Sequence, residues 1–248
     1  MNSFKIELLR NNLRRKRDRN IVFFDETDST NARLLDDLSS GKAGEGDIYV
    51  ANAQSAGRGR RGKSFSSGVG GIYMSFCVNA EENSLLTVTC GVAVADALSA
   101  LGLSPEIKWV NDVLIGSKKV CGILAQSRTG HTAVIGVGIN MHTSSIPDEL
   151  SDIATALDAC LSKVPPREAV IADIVSRYEE LSELDKKQII ARYRDYLTML
   201  GSDIIITGTN ETARAIDVDD TGALVAEFPG GTVRHLNSGE ISVKKANF

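Results

Sequence analysis

The chain has 248 residues, 42% of them hydrophobic, which is enough to bury a core in one or two domains and excludes a disordered chain. Its net charge of −4 excludes a surface built all over to hold nucleic acid, though a local basic site stays open. Cys77, Cys90, Cys121 and Cys160 form no Cys-x-x-Cys pair and follow no secretory signal, which fits a reducing, cytoplasmic compartment. His131, His142 and His235 are too scattered to make a local metal motif with each other or with those cysteines, so no structural metal is expected. No run reaches the roughly 18–20 apolar residues of a membrane span, and no membrane partner is expected.

Residues 3–17 read as a helix through Phe4, Ile6, Leu8, Leu9 and Leu13, ending in the run Arg14-Arg15-Lys16-Arg17. The plain reading of that run is a solvated helix end whose cations suit the dipole; a nucleic-acid role is the alternative. Residues 21–24 are an apolar strand, and Ser29 stands where an N-cap starts a helix through Leu34, Leu35 and Leu38. Strands follow at 47–53 and 71–78, then a well-buried helix over 84–101 with apolar residues at helical spacing.

Three more strands are predicted: 106–109 running on into 113–115, then 120–126, then 132–137. Turns at Gly116-Ser117 and Thr129-Gly130 imply consecutive hairpins. Residues 152–200 are helical, with Pro165-Pro166 separating a short helix from a long one that starts near Arg167. Beyond Gly201 the pattern turns to short strands at 204–207, 213–217, 224–228 and 241–243, punctuated by glycines. The expected architecture is therefore α+β, a mixed and largely antiparallel sheet with helices over residues 1–200, and a small β-barrel over 201–248 that leans on it.

The densest chemical signal is Gln54-Ser55-Ala56-Gly57-Arg58-Gly59-Arg60-Arg61-Gly62-Lys63, where cations alternate with glycines. Glycine lets a backbone approach an anion closely, and guanidinium groups bind phosphate oxygens two at a time. The string also fits the dinucleotide fingerprint, but that fingerprint needs a helix opening at the loop, whereas here loop continues into a strand.

Lys108-Trp109-Val110-Asn111-Asp112 and Lys118-Lys119-Val120-Cys121-Gly122 lie across a turn. Alone they read as exposed turn residues; beside the arginine loop they make a candidate site for a nucleotide and a carboxylate. Ile135-Gly136-Val137-Gly138-Ile139-Asn140 is a strand whose glycines mark close approach by a ligand or neighbour. The Asn140 amide suits either an adenine edge or a capped turn.

Taken together, Glu26-Thr27-Asp28-Ser29-Thr30-Asn31, the arginine–glycine loop, Lys108-Trp109-x-Asn111-Asp112, Lys119-x-x-Gly122-Ile123-Leu124 and Gly136-x-Gly138-Ile139-Asn140 resemble, in order and spacing, the motifs of biotin protein ligases. The tail, with Ala223-Leu224 and Gly239-Glu240-Ile241-Ser242, is similar to that family's C-terminal SH3-like domain, so the resemblance covers nearly everything from residue 20.

The resemblance implies a catalytic domain related to class II aminoacyl-tRNA synthetases, in a form without the N-terminal DNA-binding domain of some members, so that DNA is not an expected partner. It implies that ATP activates biotin as an acyl-adenylate, which then passes biotin to a lysine of a biotin carboxyl carrier protein or domain of a biotin-dependent carboxylase. Homodimers are common in the family, and the sequence does not decide the point. Lipoate ligases and octanoyl transferases are the nearest alternative, and a non-catalytic binder using the basic loop is a second.

By resemblance Arg58, Arg60 and Lys119 are catalytic, Lys119 bridging the biotin carboxylate and the α-phosphate. Biotin falls to Ser29, Thr30, Asn31, Gln54, Gly57, Arg58, Lys119 and Gly122. ATP and its adenylate fall to Arg58, Arg60, Arg61, Phe65, Asn111, Asp112 and Asn140, with Mg²⁺ held mainly through the phosphates. Cys121 is expected to be a small buried residue without a chemical role.

Val110 stands where the family usually has proline, and Phe65 where a tryptophan often packs over the adenylate. Val110→Pro and Phe65→Trp are accordingly expected to change ATP affinity or adenylate retention, checked by equilibrium binding and adenylate off-rate; unchanged values in both variants would contradict this.

Overall fold

The computed structural model describes residues 4–80, 85–129, 131–207, 209–237 and 242–245. A seven-stranded sheet organises the larger part, in the order β1-β2-β3-β7-β6-β5-β4. Strand β1 (Ile21–Phe24) and β2 (Ile48–Ala51) are parallel, joined through α2 (Thr30–Ser39). The remaining pairings are antiparallel, through β3 (Ile72–Asn79), β7 (Thr132–Ile139), β6 (Lys118–Thr129), β5 (Asp112–Ile115) and β4 (Pro105–Lys108).

Helix α2 starts where expected because the Ser29 hydroxyl accepts from Ala32 N, satisfying one of the free donors of the first turn. It covers one sheet face by packing Leu34 and Leu35 on Tyr49, Cys77 and Val134. On the other face lie α3 (Leu86–Ala100), α5 (Arg167–Leu181) and α6 (Lys186–Tyr196), whose buried residues, among them Val92, Leu98, Ile171 and Tyr193, share the main core with Ile107, Ile123 and Ile135. Helix α3 carries buried residues all round because it lies beneath both other helices and the sheet.

Several expected elements are corrected. The first helix, α1, spans only Ile6–Asn12, and from Leu13 the chain is extended. Like charges three and four apart oppose a helix through Arg10, Arg14 and Arg17, and leaving the helix lets Arg14, Arg15 and Arg17 meet acids, while Lys16 bonds the Arg10 and Asn11 carbonyls at the helix end. The arginines of the basic run therefore form a strap along α5, and only Lys16 serves the helix end as expected. Arg14 pairs with Asp173 at 2.5 Å and Glu180 at 2.9 Å, Arg15 with Glu183 at 2.6 Å, and Arg17 with Glu45 and Glu179. Arg19 is buried against Glu179 at 2.9 Å.

The stretch 106–115 is not one continuing strand. It reverses at Trp109–Asn111, pairing Lys108 with Asp112, because Trp109 and Val110 are both drawn into the core and cannot alternate across a sheet. The Trp109–Val110 peptide bond is cis. At the far end of β5, Gly116 (φ 55°) and Ser117 (φ 69°) make the expected two-residue hairpin turn.

The helical stretch holds a short α4 (Leu157–Cys160), and the long helix divides because Asp185 and Gln188 form a capping box that opens α6. The terminal strands β8 (Asp203–Thr207), β9 (Thr212–Val218), β10 (Leu224–Glu227), β11 (Val233–Leu236) and β12 (Ser242–Lys245) form a second antiparallel sheet, ordered β11-β10-β9-β8-β12. Strand β11 was not expected, since Val233-Arg234-His235-Leu236 carries little alternation. The expected features at Ser84, Gly130, Gly208 and Gly239 to Ile241 lie outside the described residues.

The small sheet rests on the larger part through Arg194, which bonds Asp217 at 2.7 Å, and through the Trp109 indole, which donates to the Gly222 carbonyl at 3.0 Å. Among the described residues no helix is long and apolar enough to cross a membrane.

Removing one partner of a buried pair strands the other charge, which costs about 3–5 kcal/mol, whereas an exposed pair contributes about 0–1 kcal/mol. Glu179→Ala is therefore expected to lower the urea unfolding free energy by several kcal/mol and Glu183→Ala by under about 1. Equal losses would show that the strap is not anchored at Arg19.

Candidate active site

Where the α2 N-terminus, the arginine loop and strands β3, β7, β6 and β5 converge lies a cavity of about 370 Å³. One end is a buried polar cluster. The Gln54 carboxamide oxygen accepts from Thr30 N at 2.8 Å while its nitrogen donates to Ser67 Oγ at 2.9 Å, which fixes the amide's orientation. Asn31 Nδ2 donates to the Leu124 carbonyl at 3.3 Å and to Gln126 Oε1 at 3.0 Å, and Ser75 Oγ lies 2.7 Å from Thr30 Oγ1.

The middle of the cavity has a glycine floor. A Cβ on Gly138 would stand 2.5 Å from Phe65 Cε1, and one on Gly122 would stand 2.9 Å from Phe65 Cε2 and 3.1 Å from Lys119 Nζ. A Cβ on Gly136 would collide with the Asn31 carboxamide. The strand glycines thus admit the close approach of Phe65 and Asn31. The Phe65 ring meets Tyr73 edge-on at 6.5 Å, and Lys119 Nζ sits 5.5 Å from its centroid.

The other end is cationic. Arg58, Arg60, Arg61, Lys63, Lys108 and Lys119 line the cavity beside one carboxylate, Asp112. Lys119 Nζ lies 2.6 Å from Asp112 Oδ1. Arg60 Nη1 donates to Asn111 Oδ1 at 3.0 Å, and Asn111 Nδ2 donates to the Ile123 carbonyl at 3.0 Å. No ion pair among the described residues engages Arg58, Arg61, Lys63 or Lys108. Burial lowers the Arg60 pKa from its ordinary value, a cost that Asp112 offsets in part and Arg61 increases. A guanidinium stays charged through such a shift, so the site holds a desolvated cation suited to an anion.

The loop keeps its shape through Phe65 N to the Gly57 carbonyl at 2.9 Å and Gly59 N to the Lys63 carbonyl at 2.7 Å. Arg61 adopts φ 56° and Gly62 φ 74°, making a single tight turn over Arg60–Gly62 and not the start of a helix.

Ser29, Thr30, Asn31, Gln54, Arg58, Arg60, Arg61, Phe65, Asn111, Asp112, Lys119 and Gly122 all line this one cavity; Gly57 and Asn140 do not. A Cβ at Gly57 would run into the Phe65 carbonyl and the Ser67 hydroxyl, so that position shapes the loop. Asn140 donates through Nδ2 to the Thr155 carbonyl at 3.0 Å, and Thr155 N in turn donates to the Lys119 carbonyl at 2.9 Å. Asn140 therefore acts behind the strand that carries Lys119.

Sequence reasoning passed over Tyr73, Ser75 and Thr207. Thr207 belongs to the second sheet and carried no signal, whereas Ser75, which lies behind the cavity wall, stands out as the one serine in the buried run of β3. Cys121 is buried, and burial pushes its thiol well above its ordinary value, so it is no nucleophile near neutral pH.

An acceptor-and-donor cluster, an uncharged floor and a cationic end suit an elongated acid whose carboxylate must meet a polyphosphate. Comparison with known proteins is consistent with that chemistry. The Bifunctional ligase/repressor BirA of Bacillus spizizenii is 32% identical, over 90% of this chain and 74% of its own length.

The chain belongs to the biotin protein ligase family.

Residues 23–140 match the Biotin/lipoate A/B protein ligase family and residues 199–244 the Biotin protein ligase C terminal domain. The Biotin--[acetyl-CoA-carboxylase] ligase of Mycobacterium tuberculosis is 30% identical, over 84% of this chain and 83% of that protein. Among solved structures, a biotin protein ligase from Aquifex aeolicus in complex with biotin and ATP superimposes with a TM-score of 0.81 at 28% identity, covering 92% of this chain and 99% of that one.

A Cβ on Gly138 overpacks the Phe65 ring, and overpacking a tight contact costs about 1–3 kcal/mol, so Gly138→Ala is expected to lower the urea unfolding free energy by that amount. Unchanged stability would mean that Phe65 does not rest on the glycine floor.

Proposed function

We propose that this protein is an ATP-dependent, AMP-forming biotin ligase whose two anionic substrates meet at Lys119. The observation that carries the proposal is the run of six cations facing a single carboxylate, laid directly against the glycine floor and the polar cluster. A biotin carboxylate oxygen attacks the α-phosphorus of ATP, the bond to pyrophosphate breaks, and the product is a mixed anhydride, biotinyl-5′-AMP. Negative charge accumulates as the two groups approach, and prepositioned cations offset it without reorganising solvent.

In this reading Lys119 exchanges its Asp112 partner for the biotin carboxylate and the α-phosphate, while Arg58, Arg60 and Arg61 take phosphate oxygens. Asn111 orients Arg60 and lies with Asp112 on the nucleotide side. Asn140 steadies the strand of Lys119 through Thr155. Ser29, Thr30, Asn31 and Gln54 receive the ring end of biotin, Gly122 lies under its chain, and Gly57 holds the loop. Phe65 leaves the floor to cover the adenylate, which slows its hydrolysis.

Mg²⁺ bound through the phosphates would neutralise part of the ATP charge; among the described residues no group of three or more His, Cys, Asp or Glu side chains could hold a metal ion. The second step gives the acyl group to a lysine amine of a biotin carboxyl carrier domain, with AMP leaving, and needs no nucleophile from the enzyme. Residues 1–200 would form the catalytic unit and 201–248 the SH3-like unit, a division supported by the two separate sheets.

Biotin-dependent exchange of labelled pyrophosphate into ATP isolates the first step. Exchange is expected with biotin and not with lipoate, falling on the order of 10²–10³-fold in Lys119→Ala. No exchange by a folded parent chain would refute the ligase reading, and exchange with lipoate would reassign the substrate.

A further inference from the structure

Two cavities meet at the arginine strap, and they differ in charge. The smaller, of about 160 Å³, is lined by Arg15, Arg17 and Arg19 together with the carboxylates of Glu45, Glu179 and Glu183. The larger, of about 360 Å³, shares those three arginines and adds Arg10, Asn11, Leu13 and Lys16, with no carboxylate among its lining residues. Asp18, between Arg17 and Arg19 in sequence, is exposed and lines neither cavity.

Three carboxylates thus serve the five cations of the larger cavity. Arg15 pairs with Glu183, Arg17 with Glu45, and Arg17 and Arg19 share Glu179. Lys16 Nζ donates to the Arg10 and Asn11 carbonyls at 3.0 and 2.7 Å, which holds the ammonium in place without neutralising it. Arg10 Nη1 reaches only the Arg19 carbonyl, at 3.4 Å, and among the described residues neither Arg10 nor Lys16 has an ion pair. Arg19 is buried, and its Nε and Nη1 have no hydrogen-bond partner among the described residues. Burial lowers its pKa, Glu179 works against that, and the neighbouring Arg17 and Arg10 add to it. Like charges gathered in a partly desolvated place repel one another until an anion joins them.

We propose that the cavity lined by Arg10, Asn11, Arg15, Lys16, Arg17 and Arg19 is a second anion site, which takes the phosphate group of a small phosphate compound. A phosphate monoester carries a charge of about −1.5 to −2 near neutral pH, which matches the two cations left without an acid, and guanidinium forks bind its oxygens in pairs. No aromatic side chain lines the cavity, so bases find no stacking platform there, and the net charge of −4 works against a long polyanion. The site shares no lining residue with the cavity that holds Lys119, so phosphate bound here takes no part in the chemistry at Lys119. The inference stands whether or not the ligase reading holds.

Its test is titration calorimetry of the full chain with inorganic phosphate and with methyl phosphate, the ionic strength held constant with sodium chloride. A saturable site is expected for at least one of the two, weakened about tenfold by loss of one charged hydrogen bond in Arg10→Ala and in Lys16→Ala, and unchanged in Lys119→Ala. Tighter binding of methyl phosphate would identify an ester as the ligand, and tighter binding of inorganic phosphate the free ion.

No saturable binding would overturn the proposal. Binding lost in Lys119→Ala and untouched in Arg10→Ala would also overturn it, by placing the phosphate among the cations of the other cavity. Binding of oligothymidylate that Arg10→Ala weakens, with neither phosphate compound bound, would make the strap a nucleic-acid surface and overturn it as well. Lys16→Ala removes bonds at the end of α1, so Arg10→Ala decides, with Arg10→Gln in its place if circular dichroism shows the alanine variant unfolded; unchanged affinity in the folded variant overturns the proposal.

Discussion

Bringing a carboxylate onto a polyphosphate sets the problem that this structure solves, because both reactants are anions and repel as they close. A chain of net charge −4 nevertheless gathers Arg58, Arg60, Arg61, Lys63, Lys108 and Lys119 around one cavity. In a partly desolvated site such charges act more strongly than at the surface, but they also destabilise one another until an anion arrives. Asp112 against Lys119 and Asn111 against Arg60 relieve that strain in the ligand-free protein.

Holding those cations apart falls to the sheet and what braces it. The turn carrying Asn111 is held on both sides: the Trp109 indole donates to Gly222 of the small sheet, and the Tyr193 hydroxyl donates to the Val110 carbonyl at 3.0 Å. The small sheet therefore supports the cationic end of the site and contributes Thr207 to its wall. On the opposite side, Ser29 starts α2 where its first residues, Thr30 and Asn31, reach the polar cluster. One local decision, the cap, thus sets both an element boundary and a binding surface.

What could be read from sequence was what local chemistry decides. The cap at Ser29, the hairpin turn at Gly116-Ser117 and the glycine-rich loop each carry their reason within a few residues, and each is found where expected. What could not be read depends on residues far away in the chain. The basic run leaves the helix because α5 supplies Asp173, Glu179 and Glu180 about 160 positions later, and 106–115 reverses because Trp109 is drawn into the core and bonds Gly222. The site shows the same division. Motif residues converge on one cavity, whereas Asn140 turns away to Thr155 and Ser75 gains meaning only from Thr30 and Asn31 beside it.

A crystal structure with biotin and a non-hydrolysable ATP analogue decides whether Lys119 gives up Asp112 to join the two substrates. Lys119 Nζ is expected within hydrogen-bond reach of both the biotin carboxylate and the α-phosphate, parted from Asp112, with Phe65 lifted off Gly138. Lys119 still paired with Asp112, and the two substrates meeting elsewhere, would contradict it.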